Sequence, residues 1–265
     1  MLTSTDRDSA YRDLLIAPLR DCADYLPKMG GSEPVSFDSF QVIYGSDPLY
    51  HWVGLDTEMM YAAHKAAGGM TSIYRQLGIG CERLFREVIK DTLSLSEEQV
   101  KWRYQVPIDD TDRLKTLTLD GRIELTDVVD DDQRNRISAW IDHQRARLNI
   151  TQELKGVVFE VRQGYKSADS KRQNGDLSNS AQALGRGYIM GLVLMSTQMN
   201  RAVRARYELA NIPVLLGTSG DEDNATSTFA FFRDVIGYDL GDFFERNSDS
   251  MRAEVIQILE ELLSA

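Results

Sequence analysis

The alternation of apolar strand patterns with helical patterns between residues 156 and 216 is the feature that most constrains the fold. The runs VVFEVRQ, YIMGLVLMS and IPVLLG are typical of buried strands, and the segments between them, 176–187 and 201–210, are typical of amphipathic helices. A helix that connects two strands makes a right-handed crossover and leaves the strands parallel. The sequence therefore predicts an α/β fold with a central mixed sheet flanked by helices.

The segments before this core predict further elements. The run VKWRYQV predicts a strand, and LKTLTLDGRIEL predicts a second strand that folds into a hairpin at Asp120-Gly121. The run TSIYRQLGIGCERLFREVIKDTL predicts an amphipathic helix that begins at Thr71 or Ser72, directly after two glycines. RISAWIDHQRARL predicts another helix, whereas KMGGSEPVSFDSFQ predicts a loop.

Length and composition fit a globular chain with a sizeable core. The chain has 265 residues, of which 42% are hydrophobic and 27% are charged, enough for one large domain or two small ones. We interpret residues 1–265 as a single domain with a core at 71–216. An N-terminal extension of helix and loop covers 1–70, and C-terminal helices lie within 225–265.

Nothing in the sequence predicts a membrane span or redox chemistry. No run approaches the roughly 18 apolar residues that a spanning helix needs, and the start of the chain lacks the order of a secretory signal. Cys22 and Cys81 form neither a disulfide framework nor a metal-binding pair, so we expect two core thiols. These features favour a cytoplasmic protein without a membrane partner.

The charge distribution bears on nucleic acid as a partner. The net charge of −11 argues against it, because phosphate binding normally leaves a basic surface. Residues 162–206, however, contain eight lysines and arginines against two acids, whereas residues 109–132 contain nine acids against three bases. The first segment predicts a basic face, and the second predicts a solvated loop or a source of metal-binding carboxylates.

Glu160 is a lone carboxylate within an apolar strand. Strand geometry places its side chain on the opposite face from Phe159 and Val161 and on the same face as Arg162. A buried carboxylate without a partner is costly, so Glu160 needs a cation. An ion pair with Arg162 or Lys166 is the simplest reading. The functional alternative is Mg²⁺ held by Glu160 and an upstream aspartate, with a basic side chain that stabilises charge on a phosphate.

The run EVRQGYKSADSKRQNGD, which begins at Glu160, resembles the catalytic segment of type II restriction endonucleases of the PD-(D/E)XK nuclease superfamily. In that family, a strand-borne Glu-x-Lys leads into a Gln-Gly-x-Lys-type loop. The order of elements over 71–216 is also similar to the restriction-endonuclease-like core. The resemblance implies a Mg²⁺-dependent endonuclease that hydrolyses phosphodiester bonds of double-stranded DNA at a specific short site and acts as a homodimer.

The resemblance also implies a set of metal ligands. Glu160 matches the strand-borne acid, and Glu82 matches the glutamate that the preceding helix often contributes. No Pro-Asp dipeptide precedes the strand, so Asp127, Asp120 and Asp130 are the options for the second carboxylate. We take Asp127 with Glu160 as the first choice, since Asp120 also suits a simple Asp-Gly turn.

The basic residues of the same segment take the other roles. Arg162 stands in the lysine position, and because arginine keeps its proton near neutral pH it can stabilise charge but not act as a base. Lys166 or Lys171 would then supply the catalytic amine. Seven residues of the polar loop are predicted to contact DNA: Lys166, Ser167, Ser170, Lys171, Arg172, Gln173 and Asn174.

Several alternatives stay open at the level of sequence. A rival register reads Asp169-Ser170-Lys171 as the (D/E)XK element with Glu160 as the upstream acid; it ranks second because Asp169 lies in a stretch too polar for a core strand. The chain could also be a repair nuclease of the same fold, a non-catalytic nucleic-acid-binding module, or an α/β enzyme that acts on a small phosphorylated substrate.

Overall fold

The structure, a computed structural model, describes residues 4–107, 114–165 and 170–264. The chain divides into two compact units, of which one comprises Met1–Gly80 with Asn247–Ala265 and the other comprises Cys81–Arg246. All of the predicted N-terminal extension and part of the C-terminal helical region belong to the first unit. Most of the predicted core belongs to the second.

The first unit is built from helices. They are α1 (Ser4–Arg20), α2 (Phe37–Gly45), α3 (Pro48–Trp52), the first part of α4 (Glu58–Thr92) and the last part of α9 (Leu240–Leu263). Helix α2 begins inside the segment that was predicted as a loop. The Ser36 side chain caps this helix by accepting a hydrogen bond from the Ser39 N–H, and Phe40 is buried. The loop prediction was wrong for this part because the segment contains a capped helix start.

Helix α4 runs through Gly68 and Gly69, so the helix start predicted just after this glycine pair was wrong. Close packing explains the pair instead. A Cβ atom at Gly68 would lie 2.1 Å from the Tyr25 hydroxyl, and one at Gly69 would lie 2.7 Å from the Leu262 side chain. Only glycine fits at these two positions without a shift of its neighbours.

The second unit has the predicted mixed α/β character, with two sheets flanked by helices. Its elements are the end of α4, β1 (Trp102–Pro107), β2 (Leu114–Leu119), β3 (Gly121–Glu124), α5 (Asp131–Arg147), β4 (Gly156–Arg162), α6 (Ser170–Leu184), β5 (Tyr188–Leu194), α7 (Arg201–Leu209), β6 (Val214–Leu215), α8 (Thr228–Ala230) with a π-helical continuation over Phe231–Ile236, and the start of α9.

The four-stranded sheet has the order β3-β4-β5-β6. Strands β4, β5 and β6 are parallel, as the alternation of strands and helices predicts, and β3 is antiparallel to β4. Strands β1 and β2 form a separate antiparallel pair. The predicted hairpin at Asp120-Gly121 was wrong, because β2 pairs with β1 and β3 pairs with β4. Asp120 therefore lies where the chain passes from one sheet to the other.

The two faces of β4 pack against different elements. Phe159 contacts Phe85 of α4 and Phe231, with ring centroids 5.0 and 5.7 Å away. Val158, on the opposite face, packs in a cluster with Trp102 of β1 and Ala183 of α6. Because side chains alternate along a strand, Glu160 shares the face of Val158, as the sequence predicts. The site described next is on this face.

Candidate functional site

Three carboxylates meet near the C-terminal end of β4. Glu160 lies on that strand, and the register that pairs Gly121 with Phe159 puts Asp120 beside it. The Val161 backbone N–H donates a hydrogen bond of 2.7 Å to Asp120 Oδ2, which fixes this aspartate. Glu82, from α4, interacts electrostatically with both carboxylates. The structure thus puts Asp120 beside Glu160, and it puts Glu82 within electrostatic reach of both.

Burial and mutual repulsion disfavour negative charge on these carboxylates. Burial, followed by the charge of Asp120, raises the pKa of Glu82 to about 7. The same two causes raise the pKa of Glu160 to about 8. Burial also raises the pKa of Asp120, although the hydrogen bond from Val161 opposes it. Such a group favours a bound cation or a shared proton, and strongly shifted pKa values are typical of functional sites.

The raised pKa of Glu160 predicts a pH-dependent loss of stability. An unfolded chain releases this proton near pH 4.5, whereas the folded chain keeps it until about pH 8, so the unfolded state binds fewer protons and stability falls as the pH rises through this window. Between pH 5 and pH 8.5, we expect wild type to lose at least about 2 kcal/mol relative to Glu160→Gln. Urea unfolding of both proteins measures this difference. A difference that stays constant or grows in favour of wild type would contradict it.

Arg162 lies between Glu160 and helix α6. Its NH2 group is 3.0 Å from Glu160 Oε1 and donates to both carboxylate oxygens of Asp176, at 2.7 and 2.8 Å. Its guanidinium carbon lies 4.9 Å from the centre of the Tyr165 ring. The ion pair between Glu160 and Arg162, the simplest arrangement that the sequence predicts, is therefore present. Arg162 also forms an ion pair with a second acid, Asp176. Its Nε atom is buried and has no hydrogen-bond partner among the described residues.

Asp176 connects Arg162 to helix α7. Its side chain is only 5% exposed, and the Tyr207 hydroxyl donates a hydrogen bond to its Oδ2. The Tyr207 hydroxyl also contacts the Tyr165 hydroxyl at 3.2 Å. Burial raises the pKa of Asp176, whereas the charge of Arg162 lowers it. These hydrogen bonds fix the position of the Arg162 guanidinium, so the site contains a cation with a fixed position.

Sequence reasoning missed Asp176, Tyr165 and Tyr207. The sequence predicted that a helix begins at Asp176, which made this aspartate a boundary residue. In the structure, α6 begins at Ser170, so Gln173 and Asp176 share its buried face with Ala183. A helix started six residues earlier would have shown two polar side chains, three positions apart, on the same face as Leu177 and Ala183.

Asp127 lies away from Asp120 and Glu160. Strand β3 runs antiparallel to β4, so Asp127 follows β3 past the start of β4, whereas Glu160 is near the end of β4. Asp127 pairs with Arg122 at 3.2 Å. Asp130, the third option, caps α5. The structure therefore puts Asp120 in the position that the sequence analysis gave to Asp127, because strand register decides which aspartate reaches Glu160.

The predicted DNA-contacting loop is in part a helix. Lys166, Ser167 and Asp169 lie outside the described residues. Ser170, Lys171 and Arg172 form the exposed first turn of α6. Backbone N–H groups and the dipole at such a turn favour anions.

Gln173 and Asn174 are engaged within the protein. The Arg206 guanidinium donates to Gln173 Oε1 at 2.8 Å and to Asn174 Oδ1 at 2.6 Å. Gln173 is also buried. The predicted role of Gln173 as a surface contact to DNA is therefore at odds with its position. Asn174 is exposed.

A metal ion at this site would have two carboxylates as ligands. Within the part of the chain that the structure describes, no three His, Cys, Asp or Glu side chains are arranged to hold a metal ion. Asp120 uses one oxygen for the Val161 N–H, and Glu160 uses one for Arg162. Mg²⁺ commonly binds through one or two protein carboxylates together with substrate phosphates. The pair of Asp120 and Glu160 fits a site of this kind.

Comparisons with known proteins add no relative. No family model, no curated protein and no solved structure matches this chain. Among the helices of the described residues, none combines the length and the apolar character needed to cross a membrane.

Proposed function

We propose that this chain is a Mg²⁺-dependent endonuclease that hydrolyses phosphodiester bonds of double-stranded DNA at a specific short site. The observation that carries the proposal is the pair of Asp120 and Glu160 beside the fixed cation Arg162, near the C-terminal end of a strand in a mixed, mostly parallel sheet. Ligands of open α/β sheets bind at this end of the strands.

The residues of the site have different roles in the proposed reaction. Asp120 and Glu160 would hold Mg²⁺, with Glu82 close to them. Bound Mg²⁺ supplies polarisation of a phosphoryl oxygen and a lower pKa for an attacking water. Arg162 stabilises negative charge on the phosphate but cannot accept a proton, because its guanidinium stays protonated. Lys171 and the undescribed Lys166 remain the proposed amines.

The exposed first turn of α6 supports DNA as the substrate. Ser170, Lys171 and Arg172 offer hydroxyl and cationic groups to backbone phosphates, which position DNA without reading its sequence. A two-fold homodimer would present one site to each strand of a palindromic target.

The proposal predicts cleavage that depends on Asp120 but not on Asp127. We expect duplex DNA to give discrete fragments with Mg²⁺ and none with EDTA. Asp120→Asn should slow cleavage at least about 100-fold, because it removes a charge beside Glu160. Asp127→Asn is the matched control and should keep near-wild-type activity, since Asp127 pairs with Arg122 elsewhere. Fragment yields on agarose gels measure both.

Other outcomes of this experiment would contradict the proposal or favour one of the alternative functions. Equal loss of cleavage in both variants would reject the role given to Asp120. Salt-dependent DNA binding without cleavage in Mg²⁺ or Mn²⁺ would reject the endonuclease and favour a non-catalytic nucleic-acid-binding module. The absence of any interaction with DNA would favour an enzyme that acts on a small phosphorylated substrate.

A further inference from the structure

Residues 42–59 of the helical unit expose much apolar surface. Fifteen large apolar residues are exposed in the described part of the chain, and seven of them lie within this segment. We call these seven residues the apolar patch: Val42, Ile43, Leu49, Tyr50, Trp52, Val53 and Met59. Nearly half of the exposed large apolar side chains are thus concentrated on α2, α3 and the start of α4.

Packing holds together the elements that carry the apolar patch. The rings of Tyr44 on α2 and Tyr50 on α3 stack with their centroids 4.9 Å apart. His51 Nδ1 lies 2.6 Å from Asp56 Oδ2, which ties α3 to the segment before α4. Phe40, on the other side of α2, is fully buried. The exposed apolar side chains are therefore carried by a packed group of helices.

An apolar groove of about 550 Å³ continues this surface within the same unit. Its described lining includes Phe37 of α2, Leu262 and Leu263 of α9, and three alanines of α4. Glu58 also lines the groove, and the next residue, Met59, belongs to the apolar patch. The groove and the apolar patch therefore share an edge.

The area of the apolar patch matches one side of a stable protein–protein interface. At their observed exposures, the seven residues present roughly 900 Å² of surface, whereas a standard interface buries about 800 Å² on each partner. The largest apolar patch of a monomer is usually no more than about 600 Å². This surface is therefore large enough to be the contact surface of an assembly.

The charges near the apolar patch disfavour an anionic partner. Residues 37–59 contain four acids and no lysine or arginine, so neither DNA nor an anionic membrane suits this surface. Two of these acids are engaged within the chain, since Asp47 caps α3 and Asp56 pairs with His51. The other two lie in the first turns of α2 and α4, where the helix dipole favours a negative charge. A partner of this surface therefore gains mainly by burying apolar area.

We infer that the apolar patch and the groove beside it form an interface between two copies of this chain. Two-fold dimers are the commonest soluble assemblies, and in them the same surface of each copy contacts the other. A second copy offers an apolar surface of the same size, without requiring a basic residue in the segment. The inference assigns a surface to the homodimer proposed above and rests on that proposal for the expectation of two copies, but association can be measured without DNA or Mg²⁺.

Sedimentation velocity of the full chain, in EDTA and without DNA, measures the association. We expect a monomer–dimer equilibrium with a Kd of about 10 μM or below, since interfaces of this size reach micromolar affinity or better. Raising NaCl from about 0.1 to about 0.5 M should not weaken the dimer, because apolar burial holds it and salt screens the repulsion between the acids of the two copies.

Two results of this measurement would count against the inference. A chain that stays monomeric up to about 100 μM overturns a second copy as the occupant of the surface and leaves a different protein as its partner. A dimer whose Kd rises more than about tenfold in the higher salt is held by charges, and so overturns the apolar patch as the contact.

Tryptophan fluorescence reports where the two copies meet. Trp52 is 79% exposed, whereas the other two tryptophans of the chain, Trp102 and Trp140, are 6% and 3% exposed. Acrylamide therefore quenches mainly Trp52 in the single chain. We expect the quenching constant to fall at least about twofold as the protein concentration rises through the Kd, because a second copy covers this ring. A dimer in which Trp52 is quenched as readily as in the monomer overturns the apolar patch as the interface.

Two substitutions and a control distinguish the apolar patch from other surfaces. Trp52→Lys should weaken association at least about 100-fold, since large aromatic side chains dominate interface energies. Val42→Lys, on α2, should weaken it about tenfold. Leu209→Lys is the matched control, because Leu209 is 87% exposed but lies on α7 in the other unit, and it should change the Kd less than about twofold. All three side chains are exposed, and circular dichroism checks that each variant folds.

The outcomes keep this inference separate from the proposed function. Equal dissociation constants for wild type, Trp52→Lys and Val42→Lys would overturn the apolar patch as the interface. A monomeric wild type that cleaves DNA would reject the interface alone. A dimer that Trp52→Lys weakens, and that does not cleave DNA, would support the interface and reject the endonuclease alone.

Discussion

Glu160→Gln is expected to slow Mg²⁺-dependent DNA cleavage about 1,000-fold or more and to leave the protein folded. Glutamine keeps the shape of the side chain but removes the charge that would hold Mg²⁺. Arg162 keeps its two hydrogen bonds to Asp176 in this variant, so the guanidinium should stay in position. Single-turnover cleavage rates measure the loss, and circular dichroism checks the fold.

The control for this substitution is an exposed glutamate in an ordinary surface ion pair. Glu208 accepts a hydrogen bond from Arg204 at 2.8 Å, one helical turn away. Glu208→Gln should leave the cleavage rate within about twofold of wild type, since surface pairs contribute little. A Glu160→Gln protein that cleaves within tenfold of wild type would remove Glu160 from the metal site, whatever the other variants do.

The sequence predicted the fold best where one local pattern decides the structure. The runs around Phe159, Leu192 and Val214 are apolar and bounded by helical patterns, so burial leaves them a single role as parallel strands. The hairpin at Asp120-Gly121 was predicted from a short stretch of sequence, whereas the pairing of strands depends on contacts between distant segments. An Asp-Gly pair suits a tight turn, but the partners of β2 and β3 are set by packing between distant segments, which a short window does not contain.

The same distinction explains which site residues were found. Glu160 could be predicted because a carboxylate inside an apolar strand violates a local rule and so indicates a partner. Asp127 was ranked ahead of Asp120, because both precede the strand and only the register of β3 against β4, which the sequence does not show, brings Asp120 to Glu160. Asp176 and Tyr207 were missed because their hydrogen-bond partners are distant in sequence: Arg162 lies 14 residues before Asp176, and Asp176 lies 31 residues before Tyr207.

Asp176→Ala is expected to lower the free energy of unfolding by about 3 to 5 kcal/mol, the largest stability effect predicted for a single substitution at this site. The change removes a nearly buried acid that accepts two hydrogen bonds from Arg162 and one from Tyr207. Within the described parts of the chain, Arg162 would then have only Glu160 as an ion-pair partner, and its Nε atom already lacks a hydrogen-bond partner. Urea unfolding at pH 7 measures the loss.

Two further substitutions determine whether the loss comes from the buried ion pair. Asp142→Ala removes an exposed aspartate that lies 3.4 Å from Arg145 on α5, and should change the free energy of unfolding by less than about 1 kcal/mol. Tyr207→Phe removes one hydrogen bond to Asp176 but keeps the ring, and should cost about 1 to 2 kcal/mol. If Asp176→Ala cost no more than Asp142→Ala, Arg162 would not depend on Asp176 for its position. Its place beside Glu160 would then need another cause, since a guanidinium that carries its charge at every relevant pH cannot relieve its burial by losing a proton.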